Sequence, residues 1–329
     1  MGRSTRLVVI TDDRFGDAEI ERSILEPANI EVRVASCRTS QEVISAARSA
    51  EGLLVNLAPI DAAALEGLER CRVISRYGVG LDNVDVEAAT RRNIVVRNVP
   101  GFCDQEVAEQ ALALLFACAR GTALRDRSIR AGEWNIRPYG KRIAGTTLGI
   151  LGFGGTGICL ARSALGLGFA RMLVWSPHIS QERIGPALGA GEALPAGEKR
   201  SGPPVSAAGF EEVLANSDWI SIHLPLTPET RGIIGAREIG LMRSDTVIVN
   251  VSRGAVMDEG ALVAALEAGR LGGAGLDVFA VEPLPRESRL RRFPTVVLSD
   301  HTAYASRESI LELRRRTAQN ALDELSQER

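Results

Sequence analysis

Short apolar runs, rich in β-branched residues, recur along the whole chain, and most of them lack alternation with polar residues. Such runs are typical of strands that are buried on both faces of a sheet. Segments with the apolar spacing of amphipathic helices separate them. This alternation predicts parallel sheets covered by helices, an α/β fold, and two such sheets fit the length of 329 residues. The predicted strands are residues 7–11, 53–55, 94–96, 148–151, 172–174, 220–222, 247–251, 275–278 and 296–298.

Two of the predicted helices carry N-terminal capping signals. Thr39 is followed three residues later by Glu42, the pattern of a capping box, and it opens a helix over residues 39–50. Asp258 is the predicted N-cap of a helix over residues 259–268.

Two longer helices indicate how the chain is organised. The first, from residue 104 to about 125, has the most apolar face in the chain and separates two series of strands and helices. The second, residues 306–325, is amphipathic and is expected to pack back on the first series. We interpret its arginines at 314–316 as a solvated face. The stretch 187–208, rich in Gly, Pro and Ala, is predicted to be a surface loop.

Composition narrows the class of protein. Hydrophobic residues make up 45% of the chain and charged residues 24%, which excludes a disordered or fibrous protein. A net charge of −2 offers no general attraction for nucleic acid or an anionic membrane, and we expect neither as a partner. The five cysteines are never spaced as CxxC, so we expect reduced thiols, no metal site and a cytoplasmic location.

A glycine-rich turn follows the predicted strand at 148–151 and opens a helix. It has the pattern GxGxxG, in which glycines allow a tight turn, close approach of the backbone to a pyrophosphate, and packing of the helix on the strand. Free N–H groups at the helix N-terminus favour a bound phosphate. The residues predicted to bind a dinucleotide here are Gly152, Gly154, Gly155, Thr156 and Gly157.

Ser176 is the residue expected to select the cofactor. In nicotinamide sites an acidic residue usually lies about 20 residues beyond the glycine loop, where it binds the ribose 2′-hydroxyl. Here no carboxylate occurs between Gly157 and Glu182. Serine could donate to the 2′-phosphate of NADP, although no arginine follows it directly. The residues alone leave NAD and NADP open, and Lys199 and Arg200 are candidate ligands of a 2′-phosphate.

The three histidines of the chain are the candidates for a general base near neutral pH. His301 follows the predicted strand at 296–298, at a strand carboxyl end, where open α/β sheets bind ligands. His178 and His223 are interpreted as structural or cofactor-lining residues. Two other strand ends carry Arg253 and Glu282, each of which, taken singly, would be an ordinary surface charge.

Taken together, Arg253, Glu282 and His301 resemble the catalytic triad of the D-isomer-specific 2-hydroxyacid dehydrogenases. Other motifs extend the resemblance over nearly the whole chain, in the order that the family has them. They are GVGLDNVD at 78–85, the glycine loop at 152–157, HLPLT at 223–227, NVSRG at 250–254 and GLDVF at 275–279. Within the family, residues 104–108 and 301–306 are most similar to the C-terminal-binding-protein branch.

The resemblance implies two doubly wound parallel-sheet domains with a cleft between them. A flavodoxin-like substrate-binding domain would comprise residues 1–102 and 301–329, and a Rossmann dinucleotide-binding domain residues 103–300. The resemblance favours NAD as the cofactor without excluding NADP, and it implies a homodimer formed through the dinucleotide-binding domains.

A mechanism is also implied. Arg253 would hold the substrate carboxylate and carbonyl oxygen through its planar donor fork. His301 would exchange the hydroxyl proton while a hydride passes between C2 and the nicotinamide, and Glu282 would orient the imidazole and stabilise its protonated form. The further cofactor contacts implied are Thr230, Val251 and Asp277, the last at the carboxamide, and the further substrate contacts are Asn56, the N–H groups of Val79 and Gly80, and Tyr304.

A small unphosphorylated 2-oxo acid is the substrate predicted, because the loop at 55–61 has no cation to bind a phosphate. Two other functions are compatible with the sequence. One is an interaction protein that senses NAD(H), as the similarity to the C-terminal-binding-protein branch suggests. The other is a dehydrogenase of an unusual anion such as phosphite or a phosphonate.

Overall fold

The computed structural model describes residues 6–134, 137–138, 140–189 and 204–327. The chain divides into two compact units, Met1–Phe102 with Ser306–Arg329 and Cys103–Ala305. The sequence analysis placed these divisions after residues 102 and 300. With the second division at 305, His301 and Tyr304 belong to the second unit.

Strands and α-helices alternate along most of the described residues, except that α6 directly follows α5 and that no α-helix separates β11 from β12. The strands are β1 (Arg6–Ile10), β2 (Ile30–Val34), β3 (Gly52–Val55), β4 (Val73–Arg76), β5 (Val95–Arg97), β6 (Thr147–Leu151), β7 (Arg171–Trp175), β8 (Val205–Ala207), β9 (Trp219–Ile222), β10 (Val247–Asn250), β11 (Gly273–Leu276) and β12 (Val296–Leu298). The helices are α1 (Glu19–Leu25), α2 (Ser40–Ala47), α3 (Ala62–Glu66), α4 (Val86–Arg91), α5 (Asp104–Arg120), α6 (Thr122–Arg130), α7 (Gly155–Ala164), α8 (Gln181–Ala187), α9 (Phe210–Asn216), α10 (Ala236–Leu241), α11 (Glu259–Glu267) and α12 (Arg307–Ser326).

The first unit is built on a five-stranded parallel sheet in the order β2-β1-β3-β4-β5. This order is that of flavodoxin-like folds, as predicted. The central strand β3 is buried along its whole length, which explains its unbroken apolar sequence.

Both predicted helix N-caps, Thr39 and Asp258, are confirmed. Thr39 and Glu42 form a capping box, and the Asp258 side chain accepts a hydrogen bond from the Ala261 N–H at 3.1 Å.

Helix α12 packs against α1 and the sheet of the first unit, and it brings a buried ion pair with it. Arg314 is only 6% exposed and donates to Glu21, itself 1% exposed, at 2.7 Å, and to Asp17 at 2.6 Å. The Tyr77 hydroxyl also donates to Glu21, at 3.0 Å. The expectation that residues 314–316 form a solvated face is therefore wrong at Arg314. A buried carboxylate requires a cationic partner, and Arg314 supplies it.

The second unit is built on a seven-stranded parallel sheet in the order β12-β11-β10-β9-β6-β7-β8. The chain starts at β6, adds β7 and β8 on one side, and then returns to add β9 on the other. In doubly wound sheets, ligands bind at the carboxyl ends of the strands beside this reversal. The glycine loop after β6 and the end of β9 lie at that point, so the topology agrees with the predicted Rossmann fold.

The long apolar helix ends earlier than predicted. Helix α5 stops at Arg120 because Gly121 adopts a left-handed conformation, with φ of 63°, and α6 then leaves at an angle of 62°. The apolar face of α5 packs on α7 and the sheet of the second unit. No single helix among the described residues is both long and apolar enough to cross a membrane, and only α5 with the bent-away α6 reaches that length and composition together.

The stretch 187–208 is not entirely a loop. Its last part forms β8, which pairs in parallel with β7 and becomes the edge strand of the sheet. Lys199 and Arg200, which were considered as ligands of a 2′-phosphate, lie outside the described residues.

Candidate active site

Three neighbouring strands of the second unit each lead, at their carboxyl ends, to one residue of the predicted triad. Arg253 follows β10, Glu282 follows β11 and His301 follows β12. Because β10, β11 and β12 are adjacent and parallel, these loops emerge at the same edge of the sheet.

Glu282 and His301 are in direct contact. The Nδ1 atom of His301 lies 2.6 Å from Oε2 of Glu282, and Oε1 of Glu282 accepts a hydrogen bond from the Phe279 N–H at 2.9 Å. An ionised carboxylate only accepts, so Nδ1 must carry a proton. The other ring nitrogen, Nε2, is then the atom that can take up or release a proton.

Both His301 and Arg253 lower the pKa of the Glu282 carboxyl group. Burial by itself would raise the pKa of its carboxyl group, but the His301 hydrogen bond and the Phe279 N–H outweigh burial and hold this pKa below its usual 4.5. The positive charge of Arg253 acts in the same direction. Glu282 is therefore a carboxylate at neutral pH, and Arg253 is close enough to stabilise its charge.

Gly254 explains how the Arg253 loop approaches the Glu282 loop. A Cβ atom at residue 254 would overlap the backbone carbonyl of Phe279, so only glycine permits this packing. The backbone of Phe279 in turn holds Glu282 through its N–H. The glycine that follows Arg253 thus brings two of the three loops together.

His301 has an unusual backbone that its neighbours enforce. Its φ is 55°, in the left-handed region that residues other than glycine seldom adopt, although asparagine, aspartate and histidine are found there more often than the rest. The His301 N–H donates to the Asp277 carbonyl at 2.8 Å. The buried Asp277 carboxylate accepts from the N–H groups of Thr302, at 3.2 Å, and Ala303, at 2.9 Å, and from Ser299 Oγ at 2.6 Å. Asp277 therefore anchors the segment on both sides of His301.

This anchoring role was missed at the sequence level, where Asp277 was expected at the nicotinamide carboxamide. Within the described residues, the hydrogen bonds of its carboxylate all run to residues 299–303, and no spacing in the sequence signals them. The contact with the carboxamide stays a prediction.

The glycine loop after β6 has the geometry that a dinucleotide requires. Gly152 has φ of 100°, and a Cβ there would lie 2.6 Å from the carbonyl carbon of His223. A Cβ at Gly157 would overlap the Gly152 carbonyl, so α7 packs closely on the strand. At Gly154, the N-cap of α7, nothing lies within 4 Å of the added atom. This open position beside the helix N-terminus fits the close approach of a pyrophosphate.

The other residues expected along the cofactor lie near the same strand ends. Thr156 is half-buried in the first turn of α7, and Val251 is buried after β10. Thr230 is buried, and its hydroxyl lies 2.5 Å from the Pro225 carbonyl, so it braces the 225–230 turn. Their contacts with a cofactor stay predictions.

Ser176 directly follows β7, as expected, but the structure adds a cation that the sequence analysis missed. Arg183, in the first turn of α8, donates to the His178 carbonyl at 3.0 Å. It therefore turns back toward the loop that contains Ser176. The sequence shows no arginine immediately after Ser176, and Arg183 lies seven positions further on, at the start of α8.

The predicted substrate contacts of the first unit share the carboxyl edge of its sheet. Asn56 follows β3 and is buried, and Val79 and Gly80 follow β4. Asn83 donates to the carbonyl of Asn56 at 3.3 Å, and Asn98 donates to the carbonyl of Val79 at 2.7 Å, so both loops are held in place. Tyr304 is half-buried in the second unit.

The family model for the NAD-binding domain of the D-isomer specific 2-hydroxyacid dehydrogenases matches residues 112–303. Glyoxylate reductase from Korarchaeum cryptofilum is 38% identical over 269 residues, which cover 80% of this chain and 76% of that protein. D-3-phosphoglycerate dehydrogenase from Archaeoglobus fulgidus is 34% identical over 86% of this chain, but only 51% of its own length is matched.

Solved structures give the same result. A glyoxylate reductase from Paecilomyes thermophila superimposes with a TM-score of 0.85 and 27% identity, over 99% of this chain and 97% of that one. D-Lactate dehydrogenase from Escherichia coli superimposes with a TM-score of 0.79 and 25% identity, over 97% and 96% of the two chains. On its fold, its motifs and these relatives, the chain belongs to the D-isomer specific 2-hydroxyacid dehydrogenase family.

Proposed function

We propose that this protein is a nicotinamide-dependent reductase of a small unphosphorylated 2-oxo acid and that it forms the D-2-hydroxy acid. The observation that carries the proposal is the 2.6 Å contact between Glu282 and Nδ1 of His301, which makes Nε2 the proton-exchanging atom. The Arg253 charge beside this pair supports binding of a carboxylate substrate. Relatives named glyoxylate reductase support the reaction class.

In the proposed reaction, Arg253 binds the substrate carboxylate and the C2 carbonyl oxygen, and it polarises the C2–O bond. His301 donates the Nε2 proton to that oxygen as it becomes a hydroxyl, and it takes the proton back in the reverse direction. Glu282 keeps the imidazole oriented and offsets its positive charge. A reduced nicotinamide, when held by the residues of the dinucleotide site, would supply the hydride for C2.

The residues that would hold the cofactor are the glycine loop, the first turn of α7 and the loop after β7. We propose NAD as the cofactor, in line with the family. Ser176 carries no charge to repel a 2′-phosphate and Arg183 lies near its loop, so the site also accommodates NADP.

One observation favours an unphosphorylated substrate. The loop at 55–61 contains no cation, and the residue there that we propose to bind substrate is the neutral Asn56. The complete Arg–Glu–His set favours catalysis over a role limited to NAD(H) sensing.

Steady-state reduction with NADH and NADPH tests this function. Glyoxylate, hydroxypyruvate, pyruvate and 3-phosphohydroxypyruvate are compared under identical conditions. We expect turnover with at least one unphosphorylated acid, at a kcat/KM above that for the phosphorylated one. A preference for 3-phosphohydroxypyruvate would overturn the proposed substrate class, and binding of NADH without turnover of any 2-oxo acid would overturn the activity.

Glu282→Gln tests the carboxylate of the triad. The pKa of Glu282 is held below 4.5, so its own titration should not appear in the pH–rate profile above about pH 5. Without its charge, the protonated imidazole loses a stabilising partner, and we expect kcat for reduction to fall about 100-fold, with the larger loss at high pH. Profiles from pH 5 to 9 measure this effect.

The matched control is Glu287→Gln, which changes an exposed carboxylate five residues further along. Its profile should coincide with that of the wild type. If Glu282→Gln also coincided with the wild type, Glu282 would have no part in the reaction.

We further propose a homodimer through the cofactor-binding unit and a cytoplasmic location. Ile129 and Trp134, after α5, are exposed, Trp134 by 89%, and such apolar side chains support a protein–protein contact. The five cysteines are free thiols, in keeping with a reducing compartment. Membership of the C-terminal-binding-protein branch stays a prediction.

A further inference from the structure

A buried histidine beneath the glycine loop links the sheet to the first turn of α7. His223 follows β9, and its N–H donates to the Leu151 carbonyl at 2.7 Å. Its backbone packs directly under Gly152. The imidazole has hydroxyl partners on both sides, with Nε2 at 2.8 Å from Ser221 Oγ and Nδ1 at 3.2 Å from Thr156 Oγ1.

The imidazole of His223 is neutral. Burial lowers its pKa to about 3, well below the usual 6.5, and both of its ring partners are uncharged hydroxyls. A neutral imidazole has one N–H donor and one acceptor nitrogen. The imidazole therefore donates in one contact and accepts in the other. Either Nδ1 donates to Thr156 and Nε2 accepts from Ser221, or Nε2 donates to Ser221 and Nδ1 accepts from Thr156.

Ser221 decides between these arrangements. Its side chain is 1% exposed, and the described part of the chain offers its hydroxyl no acceptor other than Nε2 of His223. If Nε2 carried the proton, the Ser221 hydroxyl hydrogen would be buried with nothing to accept it, which is costly. Ser221 must therefore donate to Nε2, so that Nδ1 carries the proton and donates to Thr156.

This direction fixes what Thr156 can do. Its oxygen already accepts from His223, and within the described residues its hydroxyl hydrogen has no other partner. Thr156 is half-buried in the first turn of α7, next to the open position at Gly154. Its remaining hydrogen is therefore available as a donor at the helix end where a pyrophosphate would bind.

We propose that Ser221, His223 and Thr156 form a directional hydrogen-bond chain that presents the Thr156 hydroxyl as a donor to the pyrophosphate of the dinucleotide. Thr156 is a cofactor-binding residue, and Ser221 and His223 are positioning residues that act through it. The inference rests on the dinucleotide use proposed above and adds a specific donor to that site. In the other tautomer of His223, Thr156 would donate to Nδ1, and only the lone pairs of its oxygen would remain to face a phosphate oxygen.

The first experiment reads the tautomer of His223 directly. Nitrogen-15 NMR of the histidine-labelled apoprotein distinguishes Nδ1–H from Nε2–H, and His223→Asn assigns the signal among three histidines. We expect His223 to be the neutral Nδ1–H form from pH 5.5 to 8. In Ser221→Ala, the preference for this tautomer should weaken. A neutral Nε2–H or protonated His223 in the wild type would overturn the proposal.

The second experiment measures binding of ADP-ribose, which has the pyrophosphate, and of adenosine, which lacks it. Thr156→Val should weaken ADP-ribose binding about tenfold and leave adenosine binding unchanged, because a hydrogen bond to a charged oxygen is lost. Thr156→Ser, which keeps the hydroxyl, should bind ADP-ribose like the wild type. Circular dichroism confirms that each variant is folded, and if Thr156→Val does not fold, Ser221→Ala is titrated instead, with a smaller loss expected.

These outcomes separate the two proposals. If Thr156→Val binds ADP-ribose as well as the wild type, the hydrogen-bond chain is overturned even when the enzyme reduces a 2-oxo acid. If the wild type binds NADH but reduces no 2-oxo acid, the proposed activity fails while the chain stands. A wild type that binds neither ADP-ribose nor NADH would overturn both.

Discussion

Replacing His301 with asparagine is expected to lower kcat for 2-oxo acid reduction by about 10²- to 10⁴-fold, the range that general acid–base catalysis contributes. Asparagine is the appropriate substitute because it tolerates the φ of 55° at this position and can still donate to Glu282. It cannot exchange a proton near neutral pH. The loss should therefore come from chemistry and not from a rearranged loop.

The dissociation constant for NADH provides the internal control, because His301 follows β12 and, within the described residues, makes no hydrogen bond to the glycine loop after β6. We expect it to be close to the wild-type value when measured by quenching of protein fluorescence. His301→Ala should show the same loss of kcat together with a lower melting temperature, since alanine disfavours a positive φ. Wild-type turnover in His301→Asn would remove His301 from the mechanism.

Replacing Arg253 with alanine is expected to lower kcat/KM about 10³-fold, through both a higher KM for the 2-oxo acid and a lower kcat. The guanidinium is proposed to hold the carboxylate and to stabilise charge on the C2 oxygen, so both ground-state binding and the transition state are affected. Arg253→Lys should recover only part of the loss, because an ammonium group restores the charge without the planar fork.

Arg286→Ala is the matched control, since it removes an exposed arginine four residues from Glu282. It should leave kcat/KM unchanged. Full recovery in Arg253→Lys would show that charge alone suffices, and an unaffected KM in Arg253→Ala would contradict the assigned role in binding the carboxylate.

The strands that the sequence predicted best are those buried on both faces. The interior strands β6 and β10 are buried along their whole length and carry one polar residue each, at an end of the strand, and the predicted and observed bounds agree within one residue. Strand β2, with the sequence IEVRV, was missed because an edge strand alternates polar and apolar side chains over too short a length to distinguish it from a helix. Strand β4 was missed because it includes Ser75 and Arg76.

The three residues of the proposed triad could be placed at neighbouring strand ends because strand ends follow from the order of elements, whereas their grouping as a triad came from the resemblance to the family. The supporting contacts could not be located in this way. Asp277 anchors the His301 segment across more than twenty residues of sequence. Ser221 sets the tautomer of His223 by donating a hydrogen bond, and the spacing of the two residues does not reveal the direction of that bond. Arg314 was misjudged because its partner, Glu21, is nearly 300 residues away in the chain. Contacts of this kind follow from the packed structure and not from local pattern.

The divided first unit has a consequence for synthesis of the protein. Its sheet comes from the first 102 residues, but α12, which packs on β3 and β4 and supplies Arg314 to Glu21, is translated only after the whole second unit. A nascent chain on the ribosome can therefore complete the second unit while the N-terminal strands still lack their covering helix. Until α12 emerges, the uncovered apolar surface is open to chaperones, and the first unit can be completed only once α12 has been made.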